Sequence, residues 1–312
     1  MTAVVDQYSV INASSVGWCC TIGIHDTNQK YHHTYADFMN PNRYALTFAC
    51  YNQVDYTKLC IESMVNHGLD TTRLVIVDNG STDDTRVYAK SLELGGCIFN
   101  DANLGCGVAW NQGALALQAE WTIIMNNDVI VSKNWIESLI ETAEKHQLKI
   151  ISPAMIEGEL DYDFEAFSLE ASEKMRDVMR FGDAHAVCLA VHQSVWMEIG
   201  YFQPVPKLLG YEDTLFFNAA KNAGIAMGIT GASWLHHFGS ITQKAMKQER
   251  GLSEKDGLGY RHNYRLLHQS WLTRKLKKIQ RKKQEKAWMS DELSRFGMTI
   301  HGGRSQGAFH WV

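Results

Sequence analysis

RLVIVDNGSTDD, residues 73–84, is the stretch whose reading decides the fold. Leu74, Val75, Ile76 and Val77 form a short apolar, mainly β-branched run, the composition of a strand buried on both faces. Asp78-Asn79-Gly80 ends the run. Ser81 is a good N-cap residue, and Asp83 and Asp84 would sit in the first turn of the helix expected after it. A buried strand that leads straight into a helix is half of a βαβ unit.

The same pattern repeats outward. Upstream, Ala45–Cys50 (ALTFAC) reads as a buried strand. The helix after it carries Tyr56, Leu59, Cys60, Ser63 and Met64 on one face and ends near Gly68. Downstream, Cys97–Phe99 reads as a strand, and a helix starts near Gly105–Gly107 and runs to about Ala119. Trp121–Met125 is the next strand, and Ser132 is expected to cap a helix whose core face is Trp135, Ile136, Leu139, Ile140 and Ala143. Lys149–Ser152 reads as a short strand, and the acidic residues from about 155 to 180 as a surface excursion. Ala184–His192 is expected to return as a strand, Thr214–Ala223 as a helix closed by Gly224, and Ile225–Ile229 and Ser233–His236 as two late strands. Helix with a polar tail is expected beyond about 255. Strands alternating with helices at this spacing predict an α/β fold with a mostly parallel central sheet. The expected organisation is an N-terminal extension over 1–43, a main domain over 44–250, and a helical, basic C-terminal region over 251–312.

Composition narrows the function classes. With 312 residues, 45% hydrophobic, the chain is long enough for one large core. No apolar run reaches the roughly 18–20 residues of a membrane span, and the N-terminus lacks the pattern of a signal peptide, so a cytoplasmic protein is expected. Seven cysteines without a C-x-x-C pair read as reduced thiols. The net charge of −4 argues against nucleic acid as a partner. Arg274–Lys286 departs from it, with eight basic residues against one acid. Leu272, Leu276 and Ile279 form a helical stripe there, so 272–288 could contact an anionic membrane surface, join a homo-oligomer or stay solvated.

In an open α/β sheet, ligands bind beyond the carboxyl ends of the strands. Three of the predicted strands end in polar turns: Tyr51-Asn52, Asp78-Asn79-Gly80-Ser81 and Asn126-Asn127-Asp128. A single such turn is ordinary backbone chemistry. Three in register point to one shared site.

At these residues the chain resembles the GT-A-fold, inverting glycosyltransferases of family 2, a Rossmann-like fold. The resemblance runs from about Ala45 to Thr242, through FACYNQ, VDNGSTDDT, NLGCGVAWNQGA, MNNDV, GYEDTLFF and HHFGSIT in the family's order. It implies a nucleotide-sugar donor carrying UDP, dTDP or GDP, a glycan or lipid-linked glycan acceptor, and a place in bacterial surface polysaccharide assembly. MNNDV matches the metal motif with a single carboxylate. Asp128 would hold Mg²⁺ or Mn²⁺ against the diphosphate, with Asn127 on the ribose or a metal-bound water. Tyr51 would stack on the base and Asp78 would meet the base edge or ribose. Asn52, Asn79 and Ser81 would complete that side. Asn103, Gly105, Gly107 and Asn111 would pass close to the nucleotide. This is not G-x-G-x-x-G, so a dinucleotide site is rejected.

Within GYEDTLFF the resemblance makes Asp213 the base that takes the acceptor's proton. Glu212 would orient it or bind acceptor, and Tyr211 would be an aromatic wall. His237 would ligate metal or bind diphosphate, with Ser240 and Thr242 as partners, and His236 would be structural. Two other readings stay open. A sugar nucleotidyltransferase would want a Gly-rich basic loop that FACYNQ lacks. The thinned NND motif keeps a silent glycan- or partner-binding module in view.

Overall fold

The computed structural model describes residues 43–206, 208, 210–249, 251 and 263–312. The expected extension over 1–43 lies outside the described residues except for Arg43. The chain builds an eleven-stranded sheet with helices packed on it. Strand β1 (Tyr44–Cys50) lies between β2 (Leu74–Asp78) and β4 (Trp121–Asn126), both parallel to it, and β3 (Gly96–Phe99) continues parallel beyond β2. β8 (Cys188–His192) enters antiparallel to β4, and β6 (Ile150–Gly158) follows it. β9 (Met227–His237) pairs parallel with β6 and antiparallel with the short strands β5 (Val129–Val131) and β7 (Met179–Phe181).

Helices α1 (Val54–Asn66), α2 (Thr85–Lys90), α3 (Cys106–Ala116) and α4 (Trp135–Lys145) follow β1, β2, β3 and β5 in turn. The main core lies between the sheet and the inner faces of α1 and α4, and includes Phe48, Ile76, Ile123, Met64, Leu139 and Ile140. On the opposite face α3 sits so close to β1 that a Cβ at Gly113 would lie 1.8 Å from Thr47 Oγ1. Thr47 in turn donates to the Val75 carbonyl at 3.0 Å, so it has little freedom to yield.

Local cap signals were overridden in two places. Ser81 does not start α2. The helix begins four residues later, after Asp83 has accepted from the Thr85 N–H and hydroxyl. Ser132 does not cap α4 either. Its hydroxyl accepts the Trp234 N–H from β9, and Asn134 at φ 55° leads into the helix.

Larger differences come from pairing at long range. The expected surface excursion over 155–180 contains the end of β6, helix α5 (Phe164–Met175) and β7, with Phe164, Ala171 and Met175 buried. The two late strands are one, because β9 is held along its length by β6. Helices α6 (Gln193–Ile199), α7 (Glu212–Asn222), α8 (Ile241–Glu249) and the 26-residue α9 (Trp271–Phe296) are the remaining α-helices among the described residues. The expected polar tail is a β-hairpin, β10 (His301–Ser305) and β11 (Ala308–Trp311), whose first strand joins β6 in parallel. Among the described residues the five cysteines are free thiols, and no helix is long and apolar enough to cross a membrane.

Candidate active site

Because β1, β2 and β4 run parallel, their carboxyl ends open on one side of the sheet, and a cleft of about 660 Å³ lies there. Tyr51, Asn79, Asn103, Asn127 and Asp128 line its strand-end wall. Tyr211, Glu212, Asp213, His237, Ser240 and Thr242 line the rest. Asp128 and Asp213 therefore face one cavity although 85 positions separate their numbers.

The pairing of β5 with β9 assembles the acidic corner. Val129 sits opposite His237, which brings Asp128 beside the imidazole, with Asp128 Oδ1 3.3 Å from His237 Nε2. Glu157, at the end of β6, holds Nδ1 of the same ring at 3.2 Å. Burial would lower the basicity of His237, but its bonds to Asp128 and Glu157 outweigh burial and raise it to about 9. The His237 hydrogen bond in turn holds the Glu157 carboxyl below its ordinary value. The neighbouring His236 points the other way. It is fully buried against Tyr162, whose hydroxyl lies 3.0 Å from Nδ1, and burial lowers it to about 4. The alternation of a strand separates the two histidines, one structural and one in the cleft.

Across the cleft, Gly210 (φ 100°) and Tyr211 (φ 73°) turn the chain into α7. A bulky residue at positive φ is uncommon and is held there by its surroundings. The turn leaves Glu212 buried, with Oε2 unpartnered among the described residues, and burial raises its carboxyl to about 7. Asp213 is less buried and accepts the Thr214 N–H at 2.6 Å.

Six residues expected at the site lie off the cleft wall, each for a visible reason. Asp78 is fully buried and ion-paired to Arg86, and its other oxygen accepts the Ser81 N–H at 3.2 Å. The Ser81 hydroxyl accepts the Asn52 N–H at 2.8 Å, and Asn52 Oδ1 accepts the Thr82 N–H at 2.8 Å. These bonds tie the turns after β1 and β2 together. Gly105 (φ 88°) is needed because a Cβ there would meet the Leu208 carbonyl at 2.7 Å, so its close approach is to protein backbone. Gly107 likewise packs on Glu212 and Phe202. Asn111 spends both ends of its amide on Phe202, donating to the carbonyl at 2.8 Å and accepting the N–H at 3.0 Å. Asn79 does line the cleft, but its side chain fastens the loop after β3 through Asn100, Asn103 and Leu104.

Sequence reasoning missed four contributors. Glu157 fell in the segment read as an excursion. His185, whose Nε2–H donates to the Pro153 carbonyl at 2.8 Å, and Arg281 of α9 also line the cleft. Glu249 of α8 accepts from Tyr51 Oη and Asn52 Nδ2, each at 3.0 Å, and Met246 of that helix packs against Tyr51. Strand-end position could have flagged Glu157; nothing local distinguishes Arg281 or Glu249.

A polar cleft at the parallel strand ends of an α/β sheet, with an acid–imidazole pair facing Glu212 and Asp213, has the parts of a candidate active site. The chain belongs to glycosyl transferase family 2, whose model matches residues 48–206. EpsH of Bacillus subtilis (strain 168), a glycosyltransferase by name, is 28% identical over 103 residues, which cover 32% of this chain and 30% of EpsH. An uncharacterized glycosyltransferase of Rickettsia typhi is 30% identical over 95 residues, 30% of each chain. These alignments thus span under a third of the relatives' own length. Among solved structures, GalNAc-T7 with UDP, GalNAc and Mn²⁺ superposes with a TM-score of 0.51 at 13% identity, covering 64% of this chain and 44% of that one. Residues 1–349 of S. aureus TarS give a TM-score of 0.48 at 16% identity, covering 62% and 60%. The family confirms the expected GT-A class of fold.

Proposed function

We propose that the cleft binds a nucleotide-sugar donor with a divalent cation and transfers the sugar, with inversion, to a hydroxyl of a glycan or lipid-linked glycan acceptor. The observation that carries this reading is the placement of Asp128 and Asp213 on the walls of the same cleft.

The residues fit Mg²⁺ or Mn²⁺. Asp128 Oδ1 and His237 Nε2 lie 3.3 Å apart on the cleft wall and could both turn to a cation once the imidazole gives up its Nε2 proton, while Glu157 on the far ring nitrogen would fix the ring's orientation. Among the described residues no group of three or more His, Cys, Asp or Glu could hold a metal ion, and the donor's phosphates would supply further ligands. A bound cation would stabilise the charge that builds on the departing nucleoside diphosphate.

The protein's own residues do the rest. Tyr51 supplies a ring for the base, and Asn127, held by a bond from its Nδ2 to Thr57 Oγ1 at 2.8 Å, presents the strand-end turn to the ribose. Ser240 and Thr242 carry hydroxyls on the diphosphate side. Asp213 takes the proton of the acceptor hydroxyl as that oxygen attacks the anomeric carbon from the face opposite the diphosphate. Glu212, protonated near neutrality by its burial, can donate a hydrogen bond to the acceptor without repelling Asp213. The UDP in the GalNAc-T7 structure makes a UDP-sugar the first donor to test, ahead of dTDP- and GDP-sugars.

Asp213→Asn is the direct test. Sugar transfer should fall by at least ~10² while the dissociation constant for nucleoside diphosphate with Mn²⁺ stays within about twofold. Parallel loss of both would remove Asp213 from the role of base.

A further inference from the structure

We propose that the outer face of α9 docks on an anionic lipid bilayer. This claim stands apart from the transferase reading, because it rests on a different surface.

The inner face of α9 is fixed by contacts. Glu292 is buried and clasped by Arg180 through two bonds, at 2.8 and 2.9 Å, and its carboxylate also accepts the Ile300 N–H at 2.9 Å. Three turns earlier, Arg281 lies 3.8 Å from Asp183 and lines the cleft. At about 100° per residue, positions 281 and 292 share one side of the helix.

Leu272, Leu276 and Ile279 fall on the other side, roughly 150° away. They are 62%, 59% and 55% exposed. Lys283 and Lys286 continue the same line, and Lys275 and Lys282 flank it. Trp271 stands at the start of the helix, 61% exposed, with Lys275 Nζ 5.0 Å from its ring centroid. Apolar side chains, a terminal tryptophan and long lysine stems on one face are the components of an interfacial helix. The apolar groups enter the acyl boundary, and the ammonium groups reach back to the headgroups.

Charge selects the occupant. Residues 274–286 of α9 carry eight basic residues against one acid, while the chain as a whole is at −4. An anionic surface is therefore attracted by α9 and repelled by the rest of the molecule, which orients the contact. A second copy is a poor occupant, since a two-fold contact through this face would bring both lysine sets together. With Arg281 on the opposite side, the cleft mouth would sit about one helix diameter, ~10 Å, from the headgroups.

Flotation of the full chain with vesicles tests the proposal. One set is phosphatidylcholine alone and the other contains a third phosphatidylglycerol. The protein should float with the anionic vesicles only, and less so as salt is raised. Lys282→Gln with Lys283→Gln should lower the partition coefficient on the order of tenfold. Leu276→Ser with Ile279→Ser should lower it as well, with the melting temperature and transfer to a soluble acceptor unchanged. Equal flotation with both vesicles, or none with either, would overturn the proposal. So would a dimer in light scattering that the Leu276→Ser, Ile279→Ser variant dissociates.

Discussion

At Glu212 a single buried carboxyl carries both stability and chemistry. Its value in the folded chain, about 7, is above the ordinary 4.5 because burial penalises the charge. The folded state therefore binds this proton more tightly than the unfolded state. The associated stability is present below pH ~4.5 and is lost as pH rises to about 7, with a flat response above. The full effect is on the order of 3 kcal/mol. Glu212→Gln should remove this part of the slope when thermal midpoints are followed between pH 5 and 8; an unchanged slope would show that the group ionises as freely in the fold as outside it. Glu157 offers a second test at this scale. Its hydrogen bond to His237 Nδ1 orients the ring beside Asp128, the corner proposed for the cation, so Glu157→Gln should weaken Mn²⁺ binding in the presence of UDP roughly 10–100-fold, read by calorimetry. The residues in question differed in legibility. Asp128 stands in a polar turn at the end of an apolar run, and Asp213 was legible through the resemblance carried by GYEDTLFF. Glu157 offered only its strand-end position, because its value lies in a partner 80 positions away.

Among the elements, α3 shows how packing reuses residues that look like ligand contacts. Its glycines sit against β1, α7 and the Leu208 backbone, and Asn111 clamps the loop at Phe202. Gly113→Ala should push α3 from β1 at a cost of about 1–3 kcal/mol, measured as a lower urea midpoint with unchanged slope. Asn111→Ala should likewise cost about 1–3 kcal/mol by orphaning the Phe202 backbone groups, and leave nucleotide affinity nearly intact. A large loss of nucleotide affinity from Asn111→Ala, with stability retained, would return it to the cleft. Helices and strands themselves were legible where apolar runs were long. Their ends were not, because Ser81 and Ser132 found partners in other elements before they could cap their own helices.

For the whole molecule, binding and folding are coupled. UDP with Mn²⁺ should raise the thermal midpoint more than either alone, with ligand at a hundred times its dissociation constant adding about 2.7 kcal/mol. The C-terminal hairpin is part of the same unit. β10 covers the edge of β6, and the Val312 carbonyl accepts from Arg180 at 3.0 Å. Removing residues 298–312 should expose that edge, break the Arg180–Glu292 surroundings and give an aggregating protein in size-exclusion chromatography.

The alternation of the main strands and helices over residues 44–145, the parallel heart of the sheet and the polar turns at its strand ends were determined by the sequence alone, because burial period and turn composition are local properties. The tertiary structure decided the rest: that β5 meets β9 and brings His237 to Asp128, that Glu157 and Arg281 join them, and that Asp78 and Asn111 are spent on protein. Pairing between distant strands is chosen by the energy of the whole packed chain, and no window of residues contains that sum.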